Sequence, residues 1–365
     1  MKVKILLMFI LVGILATACT KEKPETTVQA KAGEKSVEVE IETPAADAQP
    51  AEPAAPKPAA PKPASVPAAA VLTETQRAEQ FTKAGDDYFK QSKYQEAIDA
   101  YSEAIQINPK DTDVLYNRGL AYHNKGDNDR AIADYTAALR INPNAADALY
   151  NRGNAYDDKG DYNRAIADYT AAIGINPNFD GALNNRGLAY YKKGDNDRAI
   201  ADYNAALRIN PNNVNALLGR GIVYGNNGDN DRAIADYTAA LRINPNYAGA
   251  FHNRGFAYKN KGDNDRAIAD YTAALRINPN YTEALVFRGI AYGEKEDYDR
   301  ERADYNAALR INPNYAYAFH NRGFSYYYEG DLDRAIADWE AALRIDPNDA
   351  DSKNNLEIAR RERGR

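Results

Sequence analysis

Cys19, the one cysteine in 365 residues, is the residue best placed for covalent chemistry. It follows the small residues Ala16-Thr17-Ala18 directly, where a thiol can act as a nucleophile and be acylated. The three histidines, His123, His252 and His320, would be the first candidates for metal ligands. No carboxylate or thiol cluster joins them, so no metal site is expected. Loops such as Asp127-Asn128-Asp129 invite a calcium reading, but the glycine precedes the acids and no distal bidentate Glu follows at the required spacing. Helix capping accounts for those aspartates better. The sequence has no Gly-rich phosphate loop, nucleophile elbow or metal-binding helix motif. It consists largely of near-copies of one pattern, whereas catalysis wants a single constellation. The expectation is a protein that is not an enzyme and uses neither cofactor nor metal.

The residues around Cys19 explain its position. Residues 1–18 start basic at Lys2 and Lys4, run apolar from Ile5 to Leu15 and end in small residues, which is the pattern of an export signal. That run is shorter than the roughly 20 apolar residues a permanent transmembrane helix needs. The stretch Leu15-Ala16-Thr17-Ala18-Cys19 resembles a bacterial lipobox, with Ala16 where that family more often has leucine. The resemblance implies cleavage before Cys19 and lipidation of its thiol, hence attachment to a membrane of the cell envelope. Thr20, in place of an aspartate after the cysteine, implies the outer membrane rather than the inner one. An ordinary signal peptidase could also cut after Ala18, leaving Cys19 a free terminal thiol.

Residues 19–77 are rich in Ala, Pro, Glu, Lys and Thr and nearly free of aromatic residues, so they read as a disordered tether. The stretch 44–70, in polyproline II form, would reach about 80 Å. A docking site for a proline-recognising groove is the alternative reading of these prolines. Without a second cysteine there is no internal disulfide to expect. Removing Lys2 and Lys4 with the signal would take the formal charge from −6 to −8, and a surface of that sign repels phosphate backbones, so no nucleic-acid partner is expected.

The rest of the chain is periodic. Gly85, Gly119, Gly153, Gly187, Gly221, Gly255, Gly289 and Gly323 are each 34 residues apart. They mark eight units, 78–111, 112–145, 146–179, 180–213, 214–247, 248–281, 282–315 and 316–349, with positions numbered from 1 within each. Apolar residues recur at helical spacing in two blocks per unit, as at Leu115, Gly119 and Tyr122 and then Ala131, Tyr135, Ala138 and Leu139. Gly126-Asp127 separates those blocks and Asn142-Pro143 closes the second, giving a helical hairpin with one apolar face that must stack on its neighbours. Residues 350–365 form a further amphipathic helix, read as the polar cap of the stack.

Gly at position 8, Tyr at 11, Ala at 20, an aromatic at 24, Ala at 27 and Pro at 32 resemble the tetratricopeptide repeat pattern across 78–349. The resemblance implies an all-α fold: an α-solenoid of eight 34-residue helix-turn-helix units in a right-handed superhelix. It also implies that the first helix of each hairpin lines a concave groove that binds peptides or protein segments.

Fifteen of the 27 tyrosines occupy positions 11 and 24 and are expected in the core, with Trp339 at position 24 of the last unit. In the family, positions 2, 5, 9, 12 and 13 face the groove. Here they supply Tyr116, Leu120, His123, Tyr150, Asn154, Asp157, Leu188, Tyr191, Leu218 and Ile222. Later units add His252, Phe256, Lys259, Val286, Ile290, Tyr317, His320, Phe324 and Tyr327. All three histidines fall on this wall and read as polar handles for a peptide backbone. The alternative is that position 9 packs between adjacent first helices and binds nothing.

A clamp known in the family, which grips the C-terminal carboxylate of heat-shock chaperones, matches only at Asn117, Asn151, Asn185, Asn253 and Asn321. Its lysines and arginine are missing, which makes that ligand a poor expectation.

Two departures from the family pattern carry their own expectations. Units two to eight have Arg at position 7, from Arg118 to Arg322, and Asp at position 23, whereas unit one has Ala84 and Ala100. A half-buried guanidinium needs a partner, so a ladder of Arg–Asp pairs is expected. Unit seven carries Glu296 for the turn glycine and Glu301-Arg302 for the usual Ala-Ile, which marks it as the weakest joint or as a partner's contact. The whole reads as a lipid-anchored scaffold for protein or peptide partners in envelope assembly, with a surface-exposed adhesin as the alternative.

Overall fold

The computed structural model describes residues 72–364, so the signal, Cys19 and all of the tether before Leu72 lie outside the described residues. Those residues form seventeen α-helices and no strand. The first helices of the hairpins are α1 (Glu74–Lys90), α3 (Thr112–Lys125), α5 (Ala146–Asp158), α7 (Asp180–Lys192), α9 (Val214–Asn226), α11 (Ala248–Asn260), α13 (Thr282–Gly293) and α15 (Ala316–Tyr328). The second helices are α2 (Tyr94–Ile107), α4 (Asn128–Ile141), α6 (Tyr162–Ile175), α8 (Asn196–Ile209), α10 (Asn230–Ile243), α12 (Asn264–Ile277), α14 (Tyr298–Ile311) and α16 (Leu332–Ile345). The last helix, α17 (Ala350–Arg363), packs on α16.

The ends of these helices follow from local chemistry. In units two to eight the aspartate at position 16 is the N-cap of the second helix, as where Asp127 Oδ1 accepts from the Arg130 amide at 3.2 Å. The preceding Gly126 takes φ +89°, a left-handed conformation that ends the first helix. Glu296 must adopt φ +62° at the same place in unit seven, without glycine's freedom. The first helix begins at Glu74, four residues ahead of the repeat register, because Thr73 and Gln76 form a reciprocal capping box.

Within each hairpin the position-24 ring lies on the position-8 glycine. A Cβ on Gly119 would sit 2.7 Å from Tyr135, and one on Gly323 would sit 2.8 Å from Trp339, so only glycine permits this approach. All eight position-24 rings are buried. The position-11 tyrosines differ from expectation: Tyr122 and Tyr224 are buried, Tyr88 is exposed and the other five are half-buried. Their rings lie near the end of the first helix, open to solvent on one side. In units two to eight the position-19 arginine covers that side, its guanidinium 4.3–4.9 Å from the ring centroid.

The Arg–Asp ladder is present in all seven units. Each guanidinium grips the aspartate of its own hairpin with two bonds, as for Arg118 Nε and Nη2 to Asp134, both 2.8 Å. A third bond reaches back to position 25 of the preceding unit, to Ser102, Thr136, Thr170, Asn204, Thr238, Thr272 and Asn306 in turn. Each arginine therefore ties both the two helices of a hairpin and two consecutive hairpins.

Consecutive first helices touch one another along the described array, and no pair of second helices makes a comparable approach. Helices that touch directly on one side and splay on the other define a curve with the first helices on its inner side.

Candidate functional site

The wall of first helices changes character along its length. In the early repeats it is a hydrogen-bonded network. The rings of Tyr116 and Tyr150 pack on Tyr135 and Tyr169, at 5.9 Å in both cases. Their hydroxyls accept from Asn151 at 2.8 Å and Asn185 at 3.0 Å, each one repeat further on. Asn154 accepts from the Tyr169 hydroxyl at 2.9 Å and from Asn185 at 2.8 Å. Asp86 plays the same part in unit one, accepting from Tyr101 at 2.7 Å and Asn117 at 3.3 Å. Burial, with the hydrogen bond and charge of Asp86, holds the Tyr101 hydroxyl well above its ordinary range.

Along the rim, position 12 of one unit bonds position 13 of the next. His123 Nε2 meets Asp158 at 2.8 Å, Asp157 meets Lys192 at 2.7 Å, and the Tyr191 hydroxyl accepts from Asn226 at 2.7 Å. Further on, Lys259 pairs with Glu294 at 3.4 Å, and the Tyr327 hydroxyl donates to Glu362 of α17 at 2.9 Å.

The later repeats are aromatic and aliphatic. Ile222, Phe256, Ile290, Tyr317 and Phe324 are half-buried with part of each side chain at the surface. Phe256 meets Phe287 edge-on at 5.3 Å, Phe287 lies 6.2 Å from Tyr317, and Phe324 stacks on Tyr328 at 6.2 Å. Phe287 and Tyr328 add to the wall residues expected from the sequence. Phe287 stands at position 6, where five other units have asparagine, and Tyr328, 70% exposed, stands at position 13. Phe287 breaks the asparagine pattern of position 6, and Tyr328 falls on position 13, one of the groove positions; those are the signals by which they could have been found.

Several expected wall residues are packed inside instead. Val286 and Leu218 are buried core, and Lys259 is 9% exposed against Glu294. His252, also 9% exposed, is enclosed by Tyr281 at 5.0 Å, Tyr271 at 5.5 Å and Phe287 at 5.6 Å. Burial pushes its imidazole down to about 4, so the ring is neutral at neutral pH and serves packing, not as a handle. His320 lies at the cap, its Nδ1 2.7 Å from Ser352 Oγ, and burial lowers its pKa against the opposing pull of Asp349. Among the described residues no group of three His, Cys, Asp or Glu side chains could hold a metal, and no helix is long and apolar enough to cross a membrane.

In unit seven the Glu301 side chain lies where a Cβ on Gly293 would be 2.6 Å from its carboxylate. Tyr305 donates to it at 3.0 Å, and burial raises its pKa above the ordinary carboxylate value. The contact between α14 and α15 is the smallest of any consecutive pair.

Models of the tetratricopeptide repeat match residues 146–179, 248–281, 282–315 and 316–349, and a TPR repeat model matches 85–126, 121–160, 187–228 and 227–262. The chain belongs to the tetratricopeptide repeat family. A stretch of 49 residues, 13% of the chain, is 47% identical to the Hsp70-Hsp90 organizing protein of Triticum aestivum and covers 8% of that protein. A stretch of 46 residues, also 13% of the chain, is 46% identical to serine/threonine-protein phosphatase 5 of Homo sapiens and covers 9% of it. The chain thus spans less than a tenth of the length of the curated relatives it matches.

Among solved structures, a tetratricopeptide repeat protein from Parabacteroides merdae is 24% identical with a TM-score of 0.54, over 68% of this chain and 98% of that one. The APC/C hetero-tetramer Cut9-Hcn1 matches at 19% identity and a TM-score of 0.55, over 76% of this chain and 55% of that one. These likenesses establish the solenoid fold.

Proposed function

We propose that this tetratricopeptide protein is a membrane-anchored scaffold that holds an extended segment of a partner protein on its inner wall, within an assembly of the bacterial envelope. The observation that carries this reading is the aromatic strip of Phe256, Phe287, Tyr317, Phe324 and Tyr328, which crosses three repeats on the inner side of the curve. A run of partly exposed rings, rimmed by polar pairs, is the composition of a protein-binding surface. Anchoring rests on the lipobox resemblance at Cys19, and reach on the proline-rich stretch that follows it.

Crosslinking in the protein's own cells tests the reading. A photoreactive residue at Ile290 should capture a discrete partner, and Phe256→Asp with Tyr328→Asp should abolish that capture. Capture that survives the pair of substitutions, or that occurs only from second helices, would remove the groove from the account. Cys19→Ser should move the protein from the membrane to the soluble fraction, and unchanged membrane retention would remove the anchor.

A further inference from the structure

The two ends of the wall differ in charge as well as in shape. In repeats one to three the wall positions carry Glu79, Asp86, Asp113, Asp147, Asp157 and Asp158, against Lys83 and Lys90, both in repeat one. Asp157 and Asp158 are engaged by Lys192 and His123. Glu79, Asp86, Asp113 and Asp147 are in no ion pair among the described residues, and Asp86 accepts only neutral hydroxyl and amide donors. Burial, and after it the charge of Asp147, raises the pKa of the Tyr116 hydroxyl, which puts Asp147 beside the network. In repeats five to eight the same positions hold the Lys259–Glu294 pair, Glu283 and otherwise neutral, mostly apolar or aromatic side chains.

We infer that the groove takes a bipartite segment: a cationic stretch of Lys or Arg seated on repeats one to three, followed by aromatic or aliphatic anchors on repeats five to eight. This deepens the scaffold reading and rests on it. Unpaired carboxylates beside hydroxyl and amide groups favour a cation, and the rings further on favour apolar anchors with which charged residues compete poorly. First helices in direct contact lie roughly 10 Å apart, so α5 and α13 are separated by about 40 Å. An extended chain covers that span with about a dozen residues, which sets the separation between the two halves of the partner segment.

The test uses the full-length protein in detergent micelles and two fluorescein-labelled 18-residue peptides with the same Phe/Leu-rich end. One carries four lysines at the other end, a dozen residues away, and the second carries four glutamates there. The lysine peptide should bind about ten-fold tighter, and the preference should shrink several-fold as salt rises from about 50 to about 300 mM. Asp113→Asn with Asp147→Asn should reduce the preference to about three-fold or less, while Phe256→Ala with Tyr328→Ala should weaken both peptides alike.

Equal affinities, or a lysine preference untouched by the paired Asp→Asn substitutions, would overturn the inference. If both peptides bind equally and lose binding together in the Phe256/Tyr328 variant, the groove reading survives without the charge rule. If neither binds while Ile290 still captures a partner in cells, the charge rule alone fails, and if capture is absent too, both readings fail.

Discussion

The seam between the helices and the wall that faces the partner are built on opposite rules. Along the seam one arrangement recurs seven times: Arg at position 7 holds Asp at 23 of its own hairpin at 2.6–2.8 Å and reaches position 25 of the hairpin before. Along the wall neighbouring repeats never agree: position 9 reads Asp86, Leu120, Asn154, Leu188, Ile222, Phe256, Ile290 and Phe324. Repetition in the seam makes each hairpin interchangeable, so the stack is a sum of similar steps. Variation on the wall gives each step its own chemistry. What a repeat protein recognises is therefore to be sought where its copies differ.

The largest effect should come from breaking the seam. Asp236→Leu leaves the half-buried Arg220 guanidinium, which cannot shed its charge, without a counter-ion and should cost about 3–5 kcal/mol. Arg220→Leu should cost less, because it leaves no guanidinium stranded in the seam. Equal losses in thermal or urea unfolding would contradict the pairing.

On the wall, His252 should make stability depend on pH. Its ring titrates near 6.5 when unfolded and at about 4 when folded, so the folded state binds fewer protons between those values. Stability present above pH 6.5 should fall by up to about 3 kcal/mol as pH drops towards 4. His252→Phe should flatten that part of the profile, and an unchanged slope would show that the ring is not interior.

Unit seven sharpens the comparison, since there a seam position has drifted like a wall position. The folded-state pKa of Glu301 is raised, so its favourable protonated form is complete below the unfolded value near 4.5 and lost as pH rises through the folded value. At pH 7.5 Glu301→Ala, the residue every other unit uses, should therefore stabilise by about 1 kcal/mol, with the gain shrinking on acidification. A destabilised variant would mean that the Tyr305 bond outweighs desolvation.

The smallest effect should be Tyr116→Phe, which removes the bond from Asn151 and should cost about 1 kcal/mol or less.

The helices, the hairpin boundaries and the seam were legible in the sequence because each is signalled by residues that recur together. Arg at 7 and Asp at 23 appear in the same seven units and are both replaced by alanine in the first. The third bond of that arginine was not legible, because Ser, Thr and Asn at position 25 look like surface filler until the preceding hairpin is placed beside them. The start of α1 was hidden by the repeat register at 78, although Thr73 and Gln76 carry the capping box.

The wall was legible only in part. Whether a groove position is surface or core depends on its neighbours in adjacent repeats: His252 is interior because Phe287, one repeat on, closes over it together with Tyr271 and Tyr281. The position-11 tyrosines show the same limit, since their half-burial depends on a guanidinium from the second helix and not on the ring alone.

Amide hydrogen exchange on the full-length protein, with and without the lysine-ended peptide or the partner captured at Ile290, tests the division between seam and wall most directly. Added protection is expected in α3, α5, α11, α13 and α15, with α4, α6, α12 and α14 unchanged. Protection that appears first in the second helices, or spreads evenly over both, would contradict it.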